Sequence, residues 1–124
     1  MDSAVDFQPS QIVCLEYGGT CLYAEVIQIV ASRQICWVRP LMLALPPSRD
    51  LAASDQPILF DLRQGADLLW PTILFRPALD TEVLPLLTHL QGSKIQSDNS
   101  QVAHQQLQHF VSQVWQAYQS AFKF

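Results

Sequence analysis

Positive charge is what this chain has least of. Lysine occurs twice, at Lys94 and Lys123, and lysine plus arginine total 7 against 11 acids, for a net charge of −4 and a pI near 5.1. Phosphate-backbone binding needs several convergent cations, so general nucleic-acid binding is not expected. Charge of either sign is thin, 15% of residues against 49% hydrophobic, where about a quarter charged is usual for a soluble domain. A surface this poor in charge, in a chain with 8 prolines, is expected to be covered in part by a partner.

Other absences narrow the function further. No apolar run is long enough to span a bilayer. The stretch from Met1 to Ser10 has neither the basic region nor the apolar core of a secretory signal, which points to the cytoplasm. The 3 cysteines, Cys14, Cys21 and Cys36, form no CxxC and read as reduced thiols packed as small hydrophobes. No GxSxG, P-loop or GxGxxG occurs. His104 and His109 are five apart, on different faces of a helix, and His89 stands alone, so no metal cage and no cofactor site is assigned. Asp61, Asp67, Asp80 and Glu82 surround Arg63 and Arg76. An acid/base pair could be drawn from them, but turn caps and solvated ion pairs are the commoner use of such residues. A minimal enzyme using Asp61, Asp67 or a cysteine is the least favoured reading, and no catalytic residue is assigned.

What is present is a run of strands from Gln11 to Leu45. Gly18-Gly19 separates two β-branched and aromatic runs, as a two-residue hairpin turn requires, because both central positions can take positive φ. That turn sets Tyr17 opposite Thr20, Leu15 opposite Leu22 and Val13 opposite Ala24. Alternation then puts Val13, Leu15, Tyr17, Leu22, Ala24 and Val26 on the core face. Ile12, Cys14, Glu16, Cys21, Tyr23 and Glu25 fall on the outward face. Cys14 and Cys21 are diagonal rather than opposite, which disfavours a disulfide. The apolar phase slips at Ile27, so a bulge or bend is expected near Val26-Ile27; a strand buried on both faces is the other account. A third strand covers about 34–43, with Pro40 forcing an edge or a bend.

Beyond it, 44–57 is a long proline-containing loop. A fourth strand is expected at about 58–63 and a fifth, broken at Pro71, within 66–75. A short helix follows at 80–92, capped by Asp80 or Thr81 and stopped by Gly92. After a linker at 93–99, Leu107, Phe110, Val111, Val114, Trp115, Tyr118 and Phe122 recur at helical spacing. The opposite face is rich in glutamine and carries no charge between Asp98 and Lys123. That aromatic stripe either packs on the sheet or meets another protein.

The expected architecture is α+β: a small curled antiparallel sheet or SH3-like barrel of about five strands, with one short helix and a longer C-terminal amphipathic helix. Residues 1–10 form a flexible arm, 11–92 the barrel-like domain, and 93–124 a linker and a helix packed on that same domain. The segments Val13–Leu45 and Ile58–Phe75 resemble SH3-like small barrels in pattern, a fold that hosts many functions. The RxxxR and (D/N)xSxxG boxes of PilZ barrels are absent. Scarce lysine, frequent glutamine and the Trp/Leu/Pro bias resemble small accessory proteins of photosynthetic bacteria, which implies a role beside a larger complex.

The function expected is therefore a non-enzymatic interaction module, an accessory or assembly subunit of a larger bacterial complex, with a protein partner or homo-oligomer. Candidate contact residues are Tyr23, Trp37 and Arg39 on the sheet, since aromatics beside arginine anchor interfaces, and Phe110, Trp115 and Tyr118 on the last helix. The alternative is a small-ligand-binding regulatory domain, with a pocket between sheet and C-terminal helix near Trp70 and Trp115.

Overall fold

The computed structural model describes residues 7–45, 58–92 and 99–122. Residues 1–6 of the expected arm, 46–57 of the long loop and 93–98 of the linker lie outside the described residues.

Strands β1 (Ile12–Tyr17) and β2 (Thr20–Val30) pair in the register that the glycine turn dictates, Tyr17 with Thr20, Leu15 with Leu22 and Val13 with Ala24. Gly18 and Gly19 have φ of 60° and 83°, a backbone that side-chain-bearing residues seldom adopt. Strand β3 (Ile35–Leu45) follows a one-turn 3-10 helix, Ala31–Arg33, closed by Gln34 in the left-handed region with its N–H on the Ala31 carbonyl.

The β2–β3 ladder slips twice. Val26 pairs with Val38 and Gln28 with Trp37, so Ile27 is the extra residue of a bulge, where the apolar phase of the sequence breaks. The second slip lies between Tyr23 and Ala24, which pair with Met42 and Pro40 and leave Leu41 over. Proline has no N–H for the ladder, and the bulge stands beside it.

The outer edge of β3 is filled by two short antiparallel strands set end to end, β4 (Ile58–Asp61) beside its second half and β5 (Leu68–Pro71) beside its first. Residues 62–67 loop out between them, opposite Pro40. A 3-10 turn, Thr72–Leu74, then leads to β6 (Arg76–Pro77), which pairs with β1 at the far side of the sheet. In a flat sheet β5 and β6 would lie four spacings apart, about 19 Å. The five steps from Pro71 to Arg76 span about 13 Å, because a 3-10 turn rises only about 2 Å per residue. The sheet must therefore roll. It has six strands in the order β4-β3-β2-β1-β6, with β5 also on β3, and it does not close.

Helix α1 (Asp80–Gly92) begins where the sequence places it, with a different cap. The Leu79 carbonyl accepts the first helical bond, from Val83 N–H at 3.0 Å. Glu82 then reaches back to the Leu79 N–H at 2.9 Å, half of a capping box. Helix α2 (Asn99–Ala117) continues into a 3-10 turn, Gln119–Phe122.

Each face of the sheet carries a buried core. On the inner face Val13, Leu15, Leu22, Ala24, Val26, Cys36, Val38 and Leu43 pack with Trp70, Phe75 and the α2 residues Ala103, Leu107, Phe110 and Val114. The face expected to point outward holds a second, smaller core: Cys14, Tyr23, Met42 and Ala44 lie under Val83 of α1. Alternation separates the two faces correctly. It carries no information on whether a later helix returns to cover the second one. No helix among the described residues is long and apolar enough to cross a membrane.

Candidate protein-contact surface

Helix α1 covers only half of the outer face. Past Tyr23 and Met42, cross-strand partners continue as three rows: Glu25 with Arg39, then Gln28–Trp37–Leu69, then Val30–Ile35–Pro71. Partners across a ladder share a face, and Cys36 and Val38, alternating with Trp37, point into the inner core. Trp37 therefore sits at the centre of a half-face that α1 leaves open, with Pro71 buried at its margin. Ile35, Val30 and Glu25 beside it are half-buried, and Gln28 and Arg39 are exposed. Leu69 is 61% exposed, and Ile73, just past β5, is 77% exposed.

Asp67, in the loop opposite Pro40, fixes this surface. Its carboxylate accepts the Trp37 indole N–H at 2.9 Å and the Arg39 guanidinium at 3.1 and 3.5 Å. The guanidinium first, and the indole second, hold the Asp67 carboxyl below its ordinary range. The rotamers of a tryptophan and an arginine are thus set before anything binds, which lowers the entropy cost of association. Sequence reasoning singled out Trp37 and Arg39 as neighbouring contact residues on the sheet, with Arg39 suited to pair with a carboxylate. It did not identify Asp67 as that carboxylate or place Leu69 beside them, since both depend on a pairing 30 residues away.

The six candidate contact residues do not form one surface. Trp37 and Arg39 stand together on the outer face. Tyr23 is 3% exposed and Phe110 2% exposed, each inside one of the two cores. Trp115 and Tyr118 are exposed near the end of α2, the helix on the inner face, with Tyr118 edge-on to Tyr17 at 6.1 Å. The Phe122 side chain lies outside the described residues.

Tyr23 belongs to a polar junction that the sequence pattern does not reveal. Its hydroxyl donates to Glu82 Oε2 at 2.8 Å. Arg76 donates to both Glu82 oxygens, at 2.9 and 3.1 Å, and to Glu16 at 3.3 Å. Arg76, chiefly, pulls the Glu82 carboxyl down to about 2, and burial raises the Tyr23 hydroxyl. Asp61 pairs instead with Arg63 at 2.8 Å, two residues on. Among the described residues no group of three or more His, Cys, Asp or Glu is placed to hold a metal ion.

A cleft of about 350 Å³ opens between the hairpin turn, β3 and α2. Leu43, Leu45 and Phe110 line it together with Tyr17, Gln106 and His109. It lies at the Gly18 end of the sheet, with neither Trp70 nor Trp115 in its lining. No family model, no curated protein and no solved structure matches this chain significantly.

Proposed function

We propose that this chain is a non-enzymatic protein-interaction module, a cytoplasmic accessory or assembly subunit of a larger bacterial complex, and that its partner seats on the half of the outer sheet face that α1 leaves open. One observation carries the reading: Trp37 and Leu69 lie in one row on that half-face, with Trp37 and Arg39 both pinned by Asp67. Interface hot spots concentrate in tryptophan and arginine at the centre of a patch. The rolled sheet and its 3-10 connection to β6 are read as an open relative of the SH3-like small barrels.

Light scattering on the purified chain and capture from its host test the proposal. With Trp37→Ala and Leu69→Asp combined, partner binding or self-association falls at least about tenfold, as loss of a tryptophan anchor of about 2 kcal/mol implies. Leu69→Asp alone separates binding from folding: with Leu69 61% exposed it shifts Tm little, whereas Trp37→Ala also removes a half-buried, hydrogen-bonded ring. A monomer that captures nothing, or capture indifferent to both substitutions, rejects the reading.

The cleft at the Gly18 end favours a second reading, a small-ligand-binding regulatory domain. Its volume falls at the lower end of ligand pockets, about 300–1,000 Å³, and its described lining carries no Asp, Glu, Lys or Arg. An uncharged ligand suits it, since a buried charge there would go unpaired. A compound that raises Tm through mass action, with the rise abolished by Gln106→Leu, distinguishes this reading from the first.

A further inference from the structure

We infer that Cys14 and Cys21 form a reversible thiol-oxidation site, with Cys21 as the thiol that meets a hydroperoxide and Cys14 as the thiol that resolves it. Cys14 pairs with Tyr23, and Cys21 with Glu16, so the two cysteines are diagonal neighbours on one face of the hairpin. They pack together beneath α1, Cys14 fully buried and Cys21 only half-buried. The pair is thus graded in access: an oxidant reaches Cys21 first. Cys36 lies apart, in the inner core.

The surroundings polarise the pair in the same sense. The neighbouring Cys14 thiol, chiefly, holds the Cys21 thiol below its ordinary value, against desolvation and the Glu16 charge, with lesser help from Tyr23 and Arg76. Cys14, bonded to Cys21 and buried, is pushed up and stays protonated. Thiolate character and access together select the cysteine that oxidises. Cys21 is favoured on both counts and Cys14 on neither, and burial raises Cys36 to about 11.

In the first step the Cys21 thiolate attacks the distal oxygen of the hydroperoxide. The O–O bond breaks, the alkoxide leaves as an alcohol after taking a proton, and Cys21 becomes a sulfenic acid. In the second, the Cys14 sulfur attacks the sulfenic sulfur. The S–S bond forms, the S–O bond breaks, and hydroxide leaves as water with the Cys14 proton. Two thiols lose two electrons, and one hydroperoxide becomes an alcohol and water. Diagonal neighbours stand roughly 7–8 Å apart at Cα, just beyond the relaxed span of about 4.4–6.8 Å. Closure must shear β1 against β2, which strains the bond and leaves it easy to reduce.

The test treats the reduced full chain with hydrogen peroxide, alkylates the remaining thiols and maps the peptides by mass. The expected product is a Cys14–Cys21 linked peptide, with Cys36 alkylated and full reversal by a dithiol reductant. In Cys14→Ser, or in Cys14→Ala should the first fail to fold, a dimedone adduct forms at Cys21. In Cys21→Ser the loss of thiol slows at least about tenfold. A Cys21 that oxidises no faster than Cys36, or that stops at a singly oxidised thiol with Cys14 free, overturns the assignment using wild-type protein alone.

Discussion

Phe110→Ala is expected to cost about 4 kcal/mol, the usual range for truncating a fully buried phenylalanine being about 3–5 kcal/mol. For a chain of this size that lowers Tm by roughly 15 °C. Phe110 is 2% exposed and packs with strand residues and with Leu107 and Val114 of its own helix. The cavity would open at the join between α2 and the sheet, where neither layer can collapse without shifting the other. Val102, on the exposed side of the same helix, provides the comparison: Val102→Ala should move stability by less than about 0.5 kcal/mol. Thermal and urea unfolding followed by circular dichroism and by tryptophan emission measure both. A Phe110→Ala protein whose sheet melts where wild type does would mean that α2 docks on a sheet already stable without it, and the single-domain reading would fail.

That contrast also bounds what the sequence could say about the last helix. Spacing at three and four identified the stripe through Leu107, Phe110, Val114 and Tyr118, but a stripe is a direction and not a depth. Phe110 and Val114 are buried against the sheet, while Trp115 and Tyr118, further along, are exposed, Tyr118 edge-on to Tyr17 of β1. The hairpin was legible in full, register included, because a two-residue turn fixes every pair that follows. The bulge at Ile27 was legible too, since one extra residue flips the apolar phase. Strand β6 was not: Arg76–Pro77 is too short for any periodicity, and its place beside β1 follows from the roll of the sheet. The contact surface divides the same way. Trp37 and Arg39 alternate on one strand and could be read directly. Their neighbours Leu69 and Asp67 come from the strand and loop that fill the β3 edge, so no local pattern announces them.

The largest polar effect should come from Glu82, and its pH dependence identifies the cause. One carboxylate accepts from the Tyr23 hydroxyl, from Arg76 twice and from the Leu79 N–H, tying α1 to β2 and β6 at the point where α1 begins. Glu82→Gln keeps the shape, removes the charge and leaves a donor facing Arg76. A loss of about 2 kcal/mol at pH 7 is expected, since breaking one side of a partly buried charged network strands the other. The sign with pH follows from the depressed carboxyl. Its pKa falls from an ordinary 4.5 to about 2 on folding, so the stabilisation is complete above about pH 5 and disappears as pH drops toward 2. Taken in full such a shift is worth roughly 3 kcal/mol; with the Arg76 side chain 43% exposed, screening reduces it to about 1–2 kcal/mol. Wild type should therefore lose about that much more stability than Glu82→Gln between pH 5 and pH 2, and the two should converge in acid. Asp61 and Asp67, also held low by arginines, titrate in both proteins and cancel in the difference. Tyr23→Phe should cost about 1 kcal/mol in wild type and much less in the Glu82→Gln background. Urea unfolding across that pH range measures all four proteins. Parallel pH profiles for wild type and Glu82→Gln would show that the Arg76 contact does not persist in solution, and that α1 is held by Val83 and its apolar neighbours alone.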